Sequence, residues 1–105
     1  MGKKPRPRQE HLGEKLLRIR NALGMSQAEI WRHLGIEDLI SYKQISKYET
    51  GAGEPPLIIL LQYARAAGVN MEALIDDDVD LPERLPGNVN QEKIRSAYPP
   101  HRKKR

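Results

Sequence analysis

The sequence predicts an all-α fold of five short helices, and three observations carry that expectation. The first is composition: among 105 residues there is no Phe, one Trp and four Tyr. Leu, Ile and Ala therefore have to fill the core, which suits packed helices better than an aromatic-rich sandwich. The second is apolar spacing, which follows a helical period in successive segments. The third is punctuation, since Ser, Asn, Pro and Gly stand where such helices would begin and end.

Leu12, Leu16, Ile19 and Leu23 fall at i, i+4, i+7 and i+11, the stripe of an amphipathic helix one, with Gly24 to end it. In "MSQAEIWRHLG", Ser26 and Glu29 have the S-x-x-E spacing of a capping box, and Met25 and Ile30 that of a hydrophobic staple. Helix two is expected to start at Ser26 and to end at Gly35. Ser41 and Gln44 make a second box, S-x-x-Q, with Ile40 and Ile45 at its staple positions, which predicts helix three over 41–50, closed by Gly51. Pro56 suits the first turn of helix four, with Leu57, Leu60, Leu61, Ala64 and Ala67 on one face and Gly68 at the end. Asn70 is expected to cap a short helix five carrying Met71, Leu74 and Ile75.

The net charge of +4 conceals a division along the chain. Residues 1–11 carry +3, residues 12–75 balance seven basic against seven acidic side chains, residues 76–81 carry −4, and residues 82–105 carry +5. This predicts a basic disordered arm over 1–10, a folded domain over 11–76, and an acidic-to-basic extension over 77–105. The extension reads as mostly irregular, with one or two helical turns over 90–98. In "VDLPERLP", Val79, Leu81 and Leu85 interleave with prolines and suit an extended strap, laid on helix five or on a second subunit. Basic arms flanking a neutral body suit a polyanionic partner, because each phosphate neutralised releases counterions. The acidic knot reads as a solvated patch or as a brake folded against those arms.

Several classes find no support. The chain has no Cys, so no disulfide, thiolate nucleophile or cysteine zinc site is expected. "DDDVD" at 76–80 resembles the start of a calcium loop, but the sixth position is Leu81 and the twelfth Gly87, which removes an EF-hand. His11, His33 and His101 lack ligand spacing. No metal and no cofactor is expected. No phosphate loop, nucleophile elbow or paired-carboxylate setting appears, so an enzyme is not expected. The longest apolar run, "LIILL" at 57–61, is too short to span a bilayer, and the expected location is the cytoplasm, at the nucleoid.

"LGMSQAEI", "LGI", "ISKYETG", a following proline and "ARAAGV" occur in a known order. Over roughly residues 12–75 the chain resembles the Xre-type family, the Cro and phage-repressor helix-turn-helix proteins. The resemblance implies a five-helix lambda-repressor-like bundle in which helix three is the recognition helix, 41–50, entering the major groove of double-stranded DNA. It implies base contacts from Tyr42, Lys43, Ser46 and Lys47, which lie opposite the inward pair Ile45 and Tyr48. It also implies phosphate contacts from Gln27, at the helix-two N-terminus, and from Ser41, Gln44 and Arg20. Arg20 and Glu49 match a family pair that locks helix three against helix one.

Two positions depart from the family pattern. Trp31 stands where a small residue is usual, and Ile45 lies ten residues past Gly35, a longer gap than the family has. The excess falls in "IEDL" at 36–39, so the turn between helices two and three is enlarged while the recognition helix keeps its register. Trp31 is expected to fill the space that the longer turn opens, covered by Leu39 or Ile36. The functional expectation is a sequence-specific transcription regulator, a repressor, acting as a homodimer at least on DNA. The alternative is an antitoxin-like or coactivator-like module that binds a protein partner.

Overall fold

The computed structural model of the chain describes residues 9–87. Of the arm expected over residues 1–10, residues 1–8 lie outside the described residues, as do the helical turns expected over 90–98. Five helices follow in order: α1 Leu12–Ala22, α2 Gln27–His33, α3 Lys43–Thr50, α4 Leu57–Ala67 and α5 Met71–Ile75, with no strand among the described residues. α1 is the central element, packing against α3, α4 and α5, while α2 packs on α3 and α4 on α5. The core gathers Leu12, Leu16, Ile19, Ile30, Ile36, Ile45, Tyr48, Ile59, Leu60, Tyr63, Leu74, Leu81 and Leu85.

The punctuation acts as the spacing predicts for α2. Ser26 Oγ accepts the Glu29 N–H at 3.1 Å, and the Glu29 carboxylate accepts the Ser26 N–H at 2.8 Å, a complete capping box. The four glycines expected to end helices, Gly24, Gly35, Gly51 and Gly68, have φ between 70° and 83°, a left-handed conformation that a side chain would strain. Gly13 serves differently. A Cβ there would stand 2.7 Å from the Glu49 carbonyl oxygen and 2.9 Å from that of Tyr48, so the missing side chain lets α1 cross the backbone of α3 closely.

Two helix expectations are corrected. The box at Ser41 does not close: the α-helix begins at Lys43, Tyr42 stands at the cap with helical dihedrals, and Ser41 Oγ accepts from Lys43 N–H at 3.2 Å. The entry is wound tightly, because Gln44 N–H donates to the Ser41 carbonyl at 3.0 Å and Ile45 N–H to that of Tyr42 at 3.1 Å. The Gln44 amide that a capping box needs is thus already taken by backbone. In α4 the inward face is Ile59, Leu60, Tyr63, Ala64 and Ala67, whereas Leu57 is 73% exposed and Leu61 only half-buried. "LIILL" is apolar all round, so its periodicity leaves the inward face open and packing decides it. Pro56 and Asn70 occupy the cap positions of α4 and α5, and neither gives a side-chain cap bond.

The chain beyond α5 is part of the folded body. Leu81 and Leu85 are core residues, so the packed unit runs past residue 76, where the expected domain ends. Lys15 is buried at 7% exposure, and its Nζ donates to the carbonyls of Ala73 at 2.8 Å, Asp76 at 2.9 Å and Val79 at 2.6 Å. Arg18 donates to the carbonyls of Leu81 at 3.2 Å and Pro82 at 2.7 Å. The Asp77 carboxylate accepts from the N–H groups of Glu10 at 2.8 Å and His11 at 3.1 Å, at the start of α1. Those bonds hold the Asp77 carboxyl below its ordinary pKa. The strap therefore lies on α1 of its own chain, and the acidic knot ties down the backbone just ahead of that helix, at Glu10 and His11.

Candidate nucleic-acid interface

α3 divides into an inward and an outward side. Ile45 and Tyr48 are 0% and 3% exposed, while Tyr42, Lys43, Ser46 and Lys47 are all exposed, so the four residues expected to contact bases share one accessible surface. Lys43 and Lys47, one turn apart, place two ammonium groups on that surface. Of the residues expected at phosphate, Ser41 is exposed and Gln44 and Gln27 are half-buried.

Arg20, Glu49 and Gln27 form one network. Arg20 Nε and Nη2 donate to the two Glu49 carboxylate oxygens at 2.6 Å and 3.1 Å, a bidentate pair. Arg20 Nη1 donates to the Met25 carbonyl at 3.1 Å, and Gln27 Nε2 donates to Glu49 Oε1 at 3.1 Å. The Arg20 and Glu49 side chains are 16% and 5% exposed. The hydrogen bond with Glu49 raises the Arg20 pKa above its already high ordinary value, so the guanidinium stays charged. The geometry thus joins α1, α2 and α3 at one carboxylate. Arg20 has a structural place in it, with all three of its nitrogens engaged within the fold. The Gln27 link to Glu49 is not read from sequence, because nothing in the pattern tells an amide that faces a phosphate from one that faces a carboxylate.

The enlarged turn has its own order. Leu39 and Ile40 N–H groups both donate to the Ile36 carbonyl, at 2.9 Å and 3.2 Å, so 36–40 wind into one compact turn. Ile36 enters the core, Ile40 packs against it, and Glu37, Asp38 and Leu39 face outward. Trp31 is half-buried, packed against the core, and its indole N–H donates to the Ile40 carbonyl at 2.8 Å. Of the two covers expected, Leu39 is 57% exposed and Ile36 lies in the core; the group that the indole N–H reaches is the carbonyl of Ile40. Among the described residues, no group of three or more His, Asp or Glu side chains is placed to hold a metal ion.

A short α2, an exposed α3 and the bridge between them define a helix-turn-helix protein. The chain matches the helix-turn-helix family model over residues 16–74, more than half its length, and it belongs to that Xre-like family, which includes the Cro and phage-repressor proteins. No curated protein and no solved structure matches it. No helix among the described residues is long and apolar enough to cross a membrane.

Proposed function

We propose that the protein is a sequence-specific DNA-binding transcription regulator that acts as a repressor, with α3 in the major groove of its site. The observation that carries this reading is the division of α3: Tyr42, Lys43, Ser46 and Lys47 exposed on a helix whose opposite side is clamped by Ile45, Tyr48 and the Arg20–Glu49 pair. A recognition helix needs both parts, because base discrimination requires donors held in fixed register. Ser41, Gln44 and Gln27 border that surface and contact phosphate in this reading, and Arg20 supports them from behind. The basic segments 1–11 and 82–105, +3 and +5 in charge, add contacts without sequence preference. Repression follows from occupancy, since a protein seated over a promoter excludes polymerase by volume. The site of action is then the cytoplasm, at the nucleoid.

The same reading includes a homodimer on two half-sites about one helical turn, ~34 Å, apart. Leu57 and Ile58, 73% and 50% exposed, and Ile75, 38% exposed, supply apolar surface, and Leu57 and Ile75 line one groove with Pro56 and Leu60. A second copy of the chain is the proposed occupant. Leu57→Glu should lower the dimer fraction in sedimentation, and a wild-type chain that stays monomeric with and without DNA would refute this part.

Selection of bound DNA from a random pool, with affinity followed against salt, tests the whole. An enriched motif is expected. Lys43→Ala or Lys47→Ala should change the motif, whereas removal of residues 1–10 should flatten the salt dependence and keep the motif. Enrichment of no sequence would remove the regulator reading. Loss of preference on removing the arm would overturn the division between arm and helix.

A further inference from the structure

Trp31 holds both ends of the enlarged turn. Its backbone carbonyl accepts the Ile36 N–H at 3.5 Å, where the turn begins, and its indole Nε1 donates to the Ile40 carbonyl at 2.8 Å, where the turn ends. Between those anchors the turn is closed on itself through the Ile36 carbonyl. The indole also lies beside Tyr42, with ring centroids 5.9 Å apart and planes at 58°, a tilted contact within the range of favourable aromatic pairs. Tyr42 is 43% exposed and stands at the N-cap of α3 with helical dihedrals, φ −61° and ψ −21°. One side chain thus sets both the backbone that enters α3 and the first aromatic ring on its outward side.

A connection lengthened by "IEDL" would otherwise let the start of α3 shift, and its cap is incomplete: Ser41 gives one bond and no reciprocal one returns from Gln44. Readout of a base edge tolerates displacement of only about half an ångström. Tyr42 brings an apolar ring suited to a thymine methyl and a hydroxyl that can donate or accept. We propose that Trp31 is the positioning residue for base recognition in this protein, acting through Tyr42, whose ring it sets from the turn it bridges. The inference rests on the DNA-recognition reading above. It adds that the enlarged turn and the Trp belong to specificity as well as to packing.

The test uses the full chain in the same random-pool selection, with wild type, Tyr42→Ala, Trp31→Phe, Trp31→Ala and the Trp31→Ala/Tyr42→Ala pair. Tyr42→Ala should flatten preference at one or two adjacent base pairs. Trp31→Ala should flatten those same positions by roughly five- to tenfold in discrimination, the scale of one base contact, and leave the positions altered by Lys43→Ala and Lys47→Ala as they were. Trp31→Phe, which keeps a ring and loses the N–H, should fall between wild type and Trp31→Ala. The double variant should be no flatter than Tyr42→Ala. Because Trp31 is the one tryptophan, its emission should also shift in Tyr42→Ala in the free protein. Equal weakening on every sequence in Trp31→Ala would make its role merely structural and overturn the proposal. Should Trp31→Ala fail to fold, a Trp31→Phe profile identical to wild type overturns it equally. If wild type itself enriches no motif, the DNA reading fails first, whatever the Trp31 variants do.

Discussion

α1 meets its neighbours through two different chemistries. Toward α3 it presents the bare backbone of Gly13 and the Arg20 guanidinium, and the polar contact is side chain to side chain, with Glu49 and through it Gln27. Toward α5 and the strap it presents Lys15 and Arg18, and those polar contacts run from side chain to backbone, on the carbonyls of Ala73, Asp76, Val79, Leu81 and Pro82. The difference is one of specification. A bidentate pair demands a particular residue at each end and so leaves a motif. A carbonyl acceptor is present at every position, so the strap needs the right path and only a few apolar anchors such as Leu81 and Leu85.

The largest loss is expected on removing Lys15. Lys15→Met leaves three inward-directed carbonyls without their shared donor, and a charged hydrogen-bond donor at such a site is worth roughly 3 kcal/mol. That is a large share of the ~5 to 15 kcal/mol that holds a domain of this kind together. Urea unfolding should show the loss, and hydrogen exchange should show protection falling first over residues 76–85 while the DNA motif stays unchanged. A changed motif would mean that the strap and the recognition side are coupled.

On the other side of α1, Glu49→Gln removes the charge that joins three helices. Because the pair is partly screened at 16% and 5% exposure, about 2 kcal/mol is expected, below the cost of breaking a fully buried pair. Thermal unfolding measures it, and here DNA discrimination should fall as well. A loss as large as that in Lys15→Met would erase the distinction between the two sides.

Asp77 gives a smaller, pH-dependent effect. Its folded pKa lies below the ordinary 3.8 because N–H groups of Glu10 and His11 stabilise the carboxylate. Its contribution is therefore present above the unfolded value and lost as pH falls through the folded one. Glu29, whose pKa is lowered by its capping bond with Ser26, behaves alike on α2. Acid unfolding monitored by helicity should be less pH-dependent in Asp77→Asn than in wild type, since that variant has no charge to lose.

The smallest effect is expected at Tyr63. It is fully buried, and its hydroxyl has no hydrogen-bond partner among the described residues. Tyr63→Phe should change stability by less than ~1 kcal/mol and in the favourable direction, because no partner is orphaned by the change. Burial raises the Tyr63 pKa above the ordinary 10.0, so wild type should lose stability as pH climbs past that value, and the variant should lose less. A clear destabilisation in Tyr63→Phe at neutral pH would show that the hydroxyl does have a partner.

Where the governing interactions are local, the sequence by itself determined the result. The box at Ser26 and the glycines ending four helices are satisfied within a few residues, the stripe Leu12, Leu16, Ile19 needs only that some apolar partner cover it, and the structure has them as the spacing predicts. The Arg20–Glu49 pair, 29 residues apart, was legible only through the family resemblance, which ties a particular residue to each of the two positions. Tertiary packing decided which face of α4 turns inward at its apolar opening "LIILL", where Ile59 and Tyr63 displace Leu57. It also decided that Lys15 and Asp77 bind the strap to α1, and that Trp31 reaches Ile40 across the enlarged turn. Each of these contacts ends on a backbone group or on a shape that every neighbouring residue offers equally, and only the completed packing selects among them.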